Sequence, residues 1–157
     1  MNSDTSTYSG GSPSAYSGVS TSECSGVSLS AYSDVCVAKI KGDLDHHTAK
    51  FIRGEIDREI ASARPHRLII DFSGVTFMDS SGIGLIMGRY KLMQDYDGEV
   101  IIASPPDYIR KVLRLAGVDK LARITDNISA LIPKEEIPME HNEKEVTANE
   151  QSTAAAN

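Results

Sequence analysis

Apolar residues recur along the middle of this chain with two alternating periods, one typical of strands and one typical of helices. Short apolar runs at residues 35–40, 68–72 and 100–103 predict strands, and the second run is expected to be buried on both faces. Residues 27–31 alternate apolar and serine positions, which predicts a half-buried edge strand, and residues 121–125 predict a short last strand.

Helical spacing separates these strands. Asp45 is an N-cap candidate for a first helix that stops before Pro65, because the residue preceding a proline avoids helical geometry. Asp79 and Ser80 lie where a second helix begins, and a third begins at residues 104–105. The inward positions are expected at Ala49, Ile52, Ile56, Ile60 and Ala63 in the first helix, at Ile83, Ile86, Met87, Tyr90 and Met93 in the second, and at Tyr108, Ile109, Val112, Leu113 and Ala116 in the third.

Glycines and one charged residue complete this pattern. Gly42 and Gly74 are predicted to end the strands that precede them, and Arg89 falls outside the apolar face of the second helix. Strands and helices that alternate in this order predict an α/β fold with a mostly parallel sheet of four to five strands. The N-terminal edge strand is expected to be antiparallel, and the helices are expected to pack against the sheet.

The two ends of the chain differ from this middle part. Residues 1–26 are rich in serine, glycine and threonine, and residues 133–157 carry six carboxylates and two lysines. Both segments lack the apolar residues that would offset the entropy cost of ordering. They are predicted to be a disordered Ser/Gly-rich extension and an acidic disordered tail, and the folded domain is expected at residues 27–132.

Charge and composition exclude several classes of function. The net charge is −3 over residues 1–34, −4 over residues 133–157 and −6 overall, which leaves +1 for the middle and gives no reason to expect nucleic-acid binding. Cys24 and Cys36 are too few for a disulfide framework, and no residues show metal-ligand spacing, so neither a metal nor a cofactor is expected. No membrane span or signal peptide is evident, so we expect a cytoplasmic protein without a membrane partner.

The stretch from Met78 to Gly84 joins a predicted strand to a predicted helix and places two hydroxyls at the junction. An Asp-Ser-Ser-Gly sequence is more often a helix N-cap than a reactive site. Two serines and two glycines within five residues nevertheless exceed what a cap needs, and small residues let another backbone approach closely. Because a helix N-terminus stabilises an anion, a hydroxyl here could carry a phosphate without disturbing the fold.

Three stretches carry a resemblance to a known family. They are residues 42–49 (Gly-Asp-Leu-Asp-His-His-Thr-Ala), residues 77–84 (Phe-Met-Asp-Ser-Ser-Gly-Ile-Gly) and residues 88–91 (Gly-Arg-Tyr-Lys). Over roughly residues 29–132 the chain resembles the STAS-domain anti-sigma factor antagonists, and most of all the sporulation antagonists that activate the first forespore sigma factor. The resemblance implies a STAS-like fold for the predicted α/β domain.

The resemblance also implies a mechanism. The unmodified protein would bind an anti-sigma factor, which is itself a serine kinase, and would thereby release a sigma factor. Phosphorylation would end this binding, and a PP2C-type phosphatase would restore it. The phosphoacceptor of the family corresponds to Ser80, and no catalytic residue is implied, since the protein would not be an enzyme. The partner-binding surface is expected at Asp45, Asp79, Ser81, Gly82, Ile83 and Gly84.

Two other interpretations of the same residues stay open. Ser80 or Ser81 could be a hydrolase nucleophile, since such serines also lie at strand-to-helix turns, but the G-x-S-x-G pattern is absent. The candidate bases would then be His46, His47 and His66. Alternatively, a STAS module could be a scaffold or a ligand-binding part of another signalling or lipid-transport complex. Phosphorylation of Ser80 by a partner kinase would separate the antagonist from such a module, and inertness of the pure protein toward acyl esters would count against the hydrolase.

Overall fold

A six-stranded mixed sheet is the centre of the fold. The computed structural model describes residues 26–133 and the backbone of residues 19–24. Within these residues the strands lie in chain order, as β1 (Val19–Cys24), β2 (Val27–Tyr32), β3 (Val35–Leu44), β4 (Arg67–Met78), β5 (Glu99–Ala103) and β6 (Arg123–Thr125). The first three strands pair antiparallel, and β3 to β6 pair parallel. The predicted α/β class with an antiparallel N-terminal edge and a parallel remainder is confirmed.

The first strand lies where the sequence predicted no ordered structure. It pairs with β2 along its whole length, from Val19 opposite Tyr32 to Cys24 opposite Val27. The prediction of disorder up to residue 26 is therefore wrong for β1, and the sheet has one strand more than expected. An edge strand is held by backbone hydrogen bonds to its neighbour, so it does not need the apolar side chains on which the prediction relied. The rest of the extension and the predicted acidic tail from residue 134 lie outside the described residues.

Three helices cover one face of the sheet. They are α1 (His46–Ala63), α2 (Ser80–Asp95) and α3 (Asp107–Leu115), and short 3-10 turns follow at Val118–Lys120 and Ile128–Leu131. The predicted inward residues of α1 are buried except Ala63 at its end. A smaller apolar cluster lies on the opposite face of the sheet. It consists of Val35, Val37, Ile69, Ile101 and Ala103, which pack beneath Tyr32, Ile128, Leu131 and Ile132.

The buried face of α2 is rotated from the predicted one. Arg89 is only 6% exposed, although the sequence placed it outside the apolar face, and Leu85 is buried beside it. Of the predicted inward residues, Ile83, Met87 and Tyr90 are only partly buried. The reason is that α2 packs against α1 as well as the sheet. A second helix on its flank buries residues that periodicity alone assigns to solvent.

Both strands that lead to the helix N-termini are longer than predicted. β3 continues past Gly42 to Leu44, and β4 continues past Gly74 to Met78. The pairing of the two strands shifts register on either side of Gly42, which has φ 85°, as expected for an irregular step in a strand. A Cβ at Gly74 would lie 3.0 Å from the Ile40 carbonyl oxygen. These glycines therefore mark an irregular register and a close backbone approach, not strand ends.

Candidate functional site

Two helix N-termini lie side by side at the carboxyl ends of β3 and β4. Leu44 and Met78 are the last paired residues of the two strands, and the Asp79 N–H donates a hydrogen bond to the Leu44 carbonyl oxygen at 3.3 Å. Neighbouring strands run about 5 Å apart. Asp45 and Asp79, which directly follow these strands, therefore cap adjacent helices. The surface above the two caps is formed by both helix starts.

Asp45 caps α1 through a reciprocal set of hydrogen bonds. Its Oδ1 accepts from the N–H groups of His47 and Thr48, both at 3.0 Å, and Thr48 Oγ1 accepts from the Asp45 N–H at 3.0 Å. The bond from the Thr48 N–H is the largest cause that holds the pKa of Asp45 below its ordinary value, and desolvation, the next largest, opposes it. Asp45 is thus an ionised carboxylate at neutral pH, and it remains accessible from solvent.

Ser80 is the first residue of α2 and is exposed. The carboxylate of Asp79 caps the helix by accepting from the Ser81 N–H at 2.8 Å, so the cap leaves the serine hydroxyls unused. Within residues 26–133, no hydrogen bond occupies the side chain of Ser80 or Ser81. The Ser80 hydroxyl is therefore free to react or to contact a partner at a helix N-terminus, directly after the capping carboxylate of Asp79.

The remaining residues of the predicted partner surface have different environments. Gly84 is exposed, and a Cβ there would meet no atom within 4 Å. Ile83 is partly buried against the helix-side core. Gly82 is buried beneath Met78 and Leu44, so it can contribute to a partner surface only by letting the helix start lie close to the strand ends.

A cleft of about 220 Å³ opens between α1 and α2 beside Ser81, and the sequence analysis missed it. Its α1 side is basic, and no ion pair within residues 26–133 engages those side chains. The basic side of the cleft could have been predicted from the i, i+4, i+7 spacing of three basic residues, which places them on one helix face. The cleft is lined by His46, Ala49, Lys50 and Arg53 from α1 and by Ser81, Gly84 and Leu85 from α2.

An ion pair between the buried Arg89 and the partly exposed Asp57 joins the two helices next to this cleft. Arg89 Nε lies 2.9 Å from Asp57 Oδ1, although the N–H does not point at that oxygen, and a second guanidinium nitrogen donates to Asp57 Oδ2 at 3.4 Å. Burial lowers the pKa of Arg89; the Asp57 carboxylate opposes this effect and Arg53 adds to it. The pair holds α2 against α1 and so keeps the two helix N-termini in register.

The geometry gives little support to a nucleophilic serine. None of the hydrogen bonds among residues 26–133 links a histidine to Ser80 or Ser81, whereas an activated serine needs a base within reach. The same part of the chain contains no group of three or more His, Cys, Asp or Glu residues that could hold a metal ion. None of its helices is long and apolar enough to cross a membrane.

A family model described as the STAS domain matches residues 27–131, from the start of β2 to the last 3-10 turn. The chain belongs to the STAS domain family. The match includes both helix N-termini, the cleft and the Arg89–Asp57 ion pair, so the whole candidate site lies inside the STAS domain. β1 precedes the matched region.

This STAS domain is similar to bacterial regulators of sigma factors. The anti-sigma F factor antagonist of Paenibacillus polymyxa is 33% identical over 93 residues, which cover 59% of this chain and 80% of the relative. The structure of the anti-sigma factor antagonist SpoIIAA in its unphosphorylated form has a TM-score of 0.57 at 26% identity, and the match covers 72% of this chain and 92% of SpoIIAA. The phosphorylated form of SpoIIAA, described as a Bacillus cell fate determinant, has a TM-score of 0.53 at 26% identity, with 72% and 96% covered. The predicted resemblance to STAS-domain anti-sigma factor antagonists is confirmed.

Proposed function

We propose that this STAS domain is an anti-sigma factor antagonist that is switched by phosphorylation of Ser80 and acts in sporulation. The unphosphorylated form binds an anti-sigma factor, itself a serine kinase, and releases the sigma factor. Phosphorylation stops this binding, and a PP2C-type phosphatase reverses it. The observation that carries the proposal is the exposed, unengaged Ser80 hydroxyl at the first position of α2. The similarity to SpoIIAA, which has been solved with and without phosphate, supports the same assignment.

The surface around Ser80 suits a partner that must come close. Gly84 adds no side chain, and the Asp45 and Asp79 carboxylates are held by caps. A docked anti-sigma factor would therefore meet two helix starts, two fixed carboxylates and a neutral hydroxyl. Such a surface favours a partner that supplies positive charge or N–H donors for the carboxylates.

Phosphate on Ser80 would change this surface without disturbing the fold. A phosphoserine carries about −1.5 to −2 charges at neutral pH, and it would follow the Asp79 carboxylate directly, on a surface that also holds the Asp45 carboxylate at the neighbouring helix start. A partner surface that fits a neutral hydroxyl would then have to bury unpaired negative charge, which is costly. The helix dipole of α2 stabilises an anion at its N-terminus, so the domain itself should stay folded.

The first experiment maps the modification. Incubation with the cognate anti-sigma factor and ATP, followed by mass spectrometry, should place one phosphate on Ser80. Ser80→Ala should abolish the modification, whereas Ser81→Ala and Ser73→Ala should retain it; Ser73 is an exposed serine of β4 outside the site. Phosphate found only on Ser81 would contradict the assignment.

The second experiment tests the switch. Titration calorimetry and a transcription assay would compare the unmodified protein with Ser80→Ala and Ser80→Asp. Ser80→Ala should bind the anti-sigma factor and release the sigma factor. Ser80→Asp should remain folded by circular dichroism but bind more weakly. Release of the sigma factor by Ser80→Asp at the unmodified level would show that negative charge at this position does not control docking.

One observation bears on the ligand-binding alternative. The cleft beside Ser81 has a volume of about 220 Å³, which is below the roughly 300–1,000 Å³ typical of small-molecule sites. It is therefore better suited to one or two side chains of a protein partner than to a larger ligand. Its basic wall at Lys50 and Arg53 would accept a carboxylate from that partner.

A further inference from the structure

We propose that Tyr108 of α3 is a positioning residue for the turn that carries Ser80, an inference that rests on the proposed function for its consequence. The Tyr108 hydroxyl oxygen accepts a hydrogen bond from the Met78 N–H at 2.9 Å. Met78 ends β4, and Asp79 and Ser80 follow it directly. One side chain from a distant helix thus fixes the backbone two residues before the phosphoacceptor.

The Met78 N–H needs this partner because β4 is longer than β5. β5 pairs with β4 only from Arg67 to Asp71, whereas β3 pairs with it as far as Met78. Successive N–H groups of a strand point to opposite sides, and the Asp79 N–H points to β3, where the Leu44 carbonyl accepts it. The Met78 N–H therefore points to the side of β5, which has already ended. The Tyr108 hydroxyl takes the place of the missing strand.

The path of the chain after β5 brings Tyr108 to this position. Ser104 has φ 49°, which interrupts the extended backbone at the end of β5, and its N–H donates to the Thr125 carbonyl oxygen of β6 at 2.8 Å. Two prolines follow, and because proline has no N–H, neither could donate a ladder hydrogen bond if β5 continued. α3 begins at Asp107, so Tyr108 lies in its first turn, beside the open edge of β4.

Core packing does not explain this tyrosine. The sequence predicted Tyr108 to face inward, but the residue is 44% exposed, whereas Ile109 and Leu113 of the same helix are fully buried and anchor α3 to the sheet. The feature specific to Tyr108 is its hydroxyl contact with Met78. Loss of that hydroxyl should leave the fold intact but let the strand end and the following turn move, so that Ser80 occupies the orientation for phosphate transfer less often.

The test compares Tyr108→Phe with Tyr90→Phe as a matched control. The Tyr90 hydroxyl also accepts one hydrogen bond, from Gln94 Nε2 at 3.1 Å, but that bond lies within α2. Amide hydrogen exchange followed by NMR would report on residues 78–82, and steady-state kinetics with the anti-sigma factor and ATP would report on Ser80. Tyr108→Phe should speed exchange at Met78 and lower kcat for phosphorylation by about 2- to 10-fold, the range set by one ordinary hydrogen bond, with KM unchanged. Tyr90→Phe should behave as the wild type in both.

The other possible outcomes would overturn either this inference or the proposed function. Unchanged exchange at Met78 in Tyr108→Phe would overturn the inference, and so would faster exchange with an unchanged kcat. If the wild type were not phosphorylated on Ser80 at all, the proposed function would fail. Exchange at residues 78–82 would still decide whether Tyr108 holds the turn.

Discussion

Substitution of Gly82 by alanine tests how closely the start of α2 lies against the strand ends. Gly82 is buried in the first turn of the helix, and a Cβ added there would collide with Met78 Cγ and Sδ and lie 3.2 Å from Leu44 Cδ2. The colliding Met78 atoms lie in the middle of its side chain, so rotation of the terminal methyl group cannot relieve the overlap. Met78 or the helix start must move.

The expected cost follows from two opposing effects. Overpacking of a buried site costs about 1–3 kcal/mol. Replacing glycine with alanine in a helix contributes about 0.5–1 kcal/mol in the opposite direction. Gly82→Ala should therefore lower the free energy of unfolding by up to about 2.5 kcal/mol. Gly88→Ala has only the favourable effect, because a Cβ there meets no atom within 4 Å, so it should raise stability by about 0.5–1 kcal/mol.

Urea unfolding followed by circular dichroism would measure both variants against the wild type. Gly82→Ala and Gly88→Ala, the same substitution in one helix, should change the free energy of unfolding in opposite directions. A gain in stability for Gly82→Ala as large as the gain for Gly88→Ala would refute the close contact with Met78. A destabilised Gly88→Ala would show that helix propensity is not what the added methyl group changes at that position.

Three further predictions concern buried and capping groups. Burial, with a smaller effect of Glu59, raises the pKa of Cys36 to about 12. The Cys36 thiol should therefore resist alkylation at pH 8 until urea unfolds the protein, which peptide mass spectrometry would measure. Asp57→Ala should destabilise the protein by about 2–3 kcal/mol in urea unfolding, since it leaves the buried Arg89 unpaired; the Asp57→Ala/Arg89→Met double variant should recover part of that loss. The pKa of Asp45 is lower in the folded protein than its ordinary value near 4 in the unfolded chain. The stability that this difference contributes is complete above the unfolded-state pKa and is lost as the pH falls through the folded-state pKa. Asp45→Asn should therefore lose stability less steeply in an acid titration below pH 4.

Local sequence signals were enough to predict most of the secondary structure and the position of the site. The apolar spacing of Ile52, Ile56 and Ile60 predicted the buried face of α1, and all three are fully buried. Asp45 and Asp79 were predicted at the helix starts, and both cap helices through their side chains. These features depend on residues within one turn or one strand of each other, and such short-range preferences are written directly into the order of residues.

The features that the sequence did not reveal all depend on contacts between distant segments. β1 forms because β2 offers an unpaired edge, and Arg89 is buried because α1 lies against α2 and supplies Asp57. The cleft exists only once those two helices are packed. Tyr108 reaches Met78 across 30 residues because β5 ends early. Periodicity describes the surroundings of one segment, whereas each of these outcomes requires knowing which second segment fills the space beside it, and only the folded chain decides that.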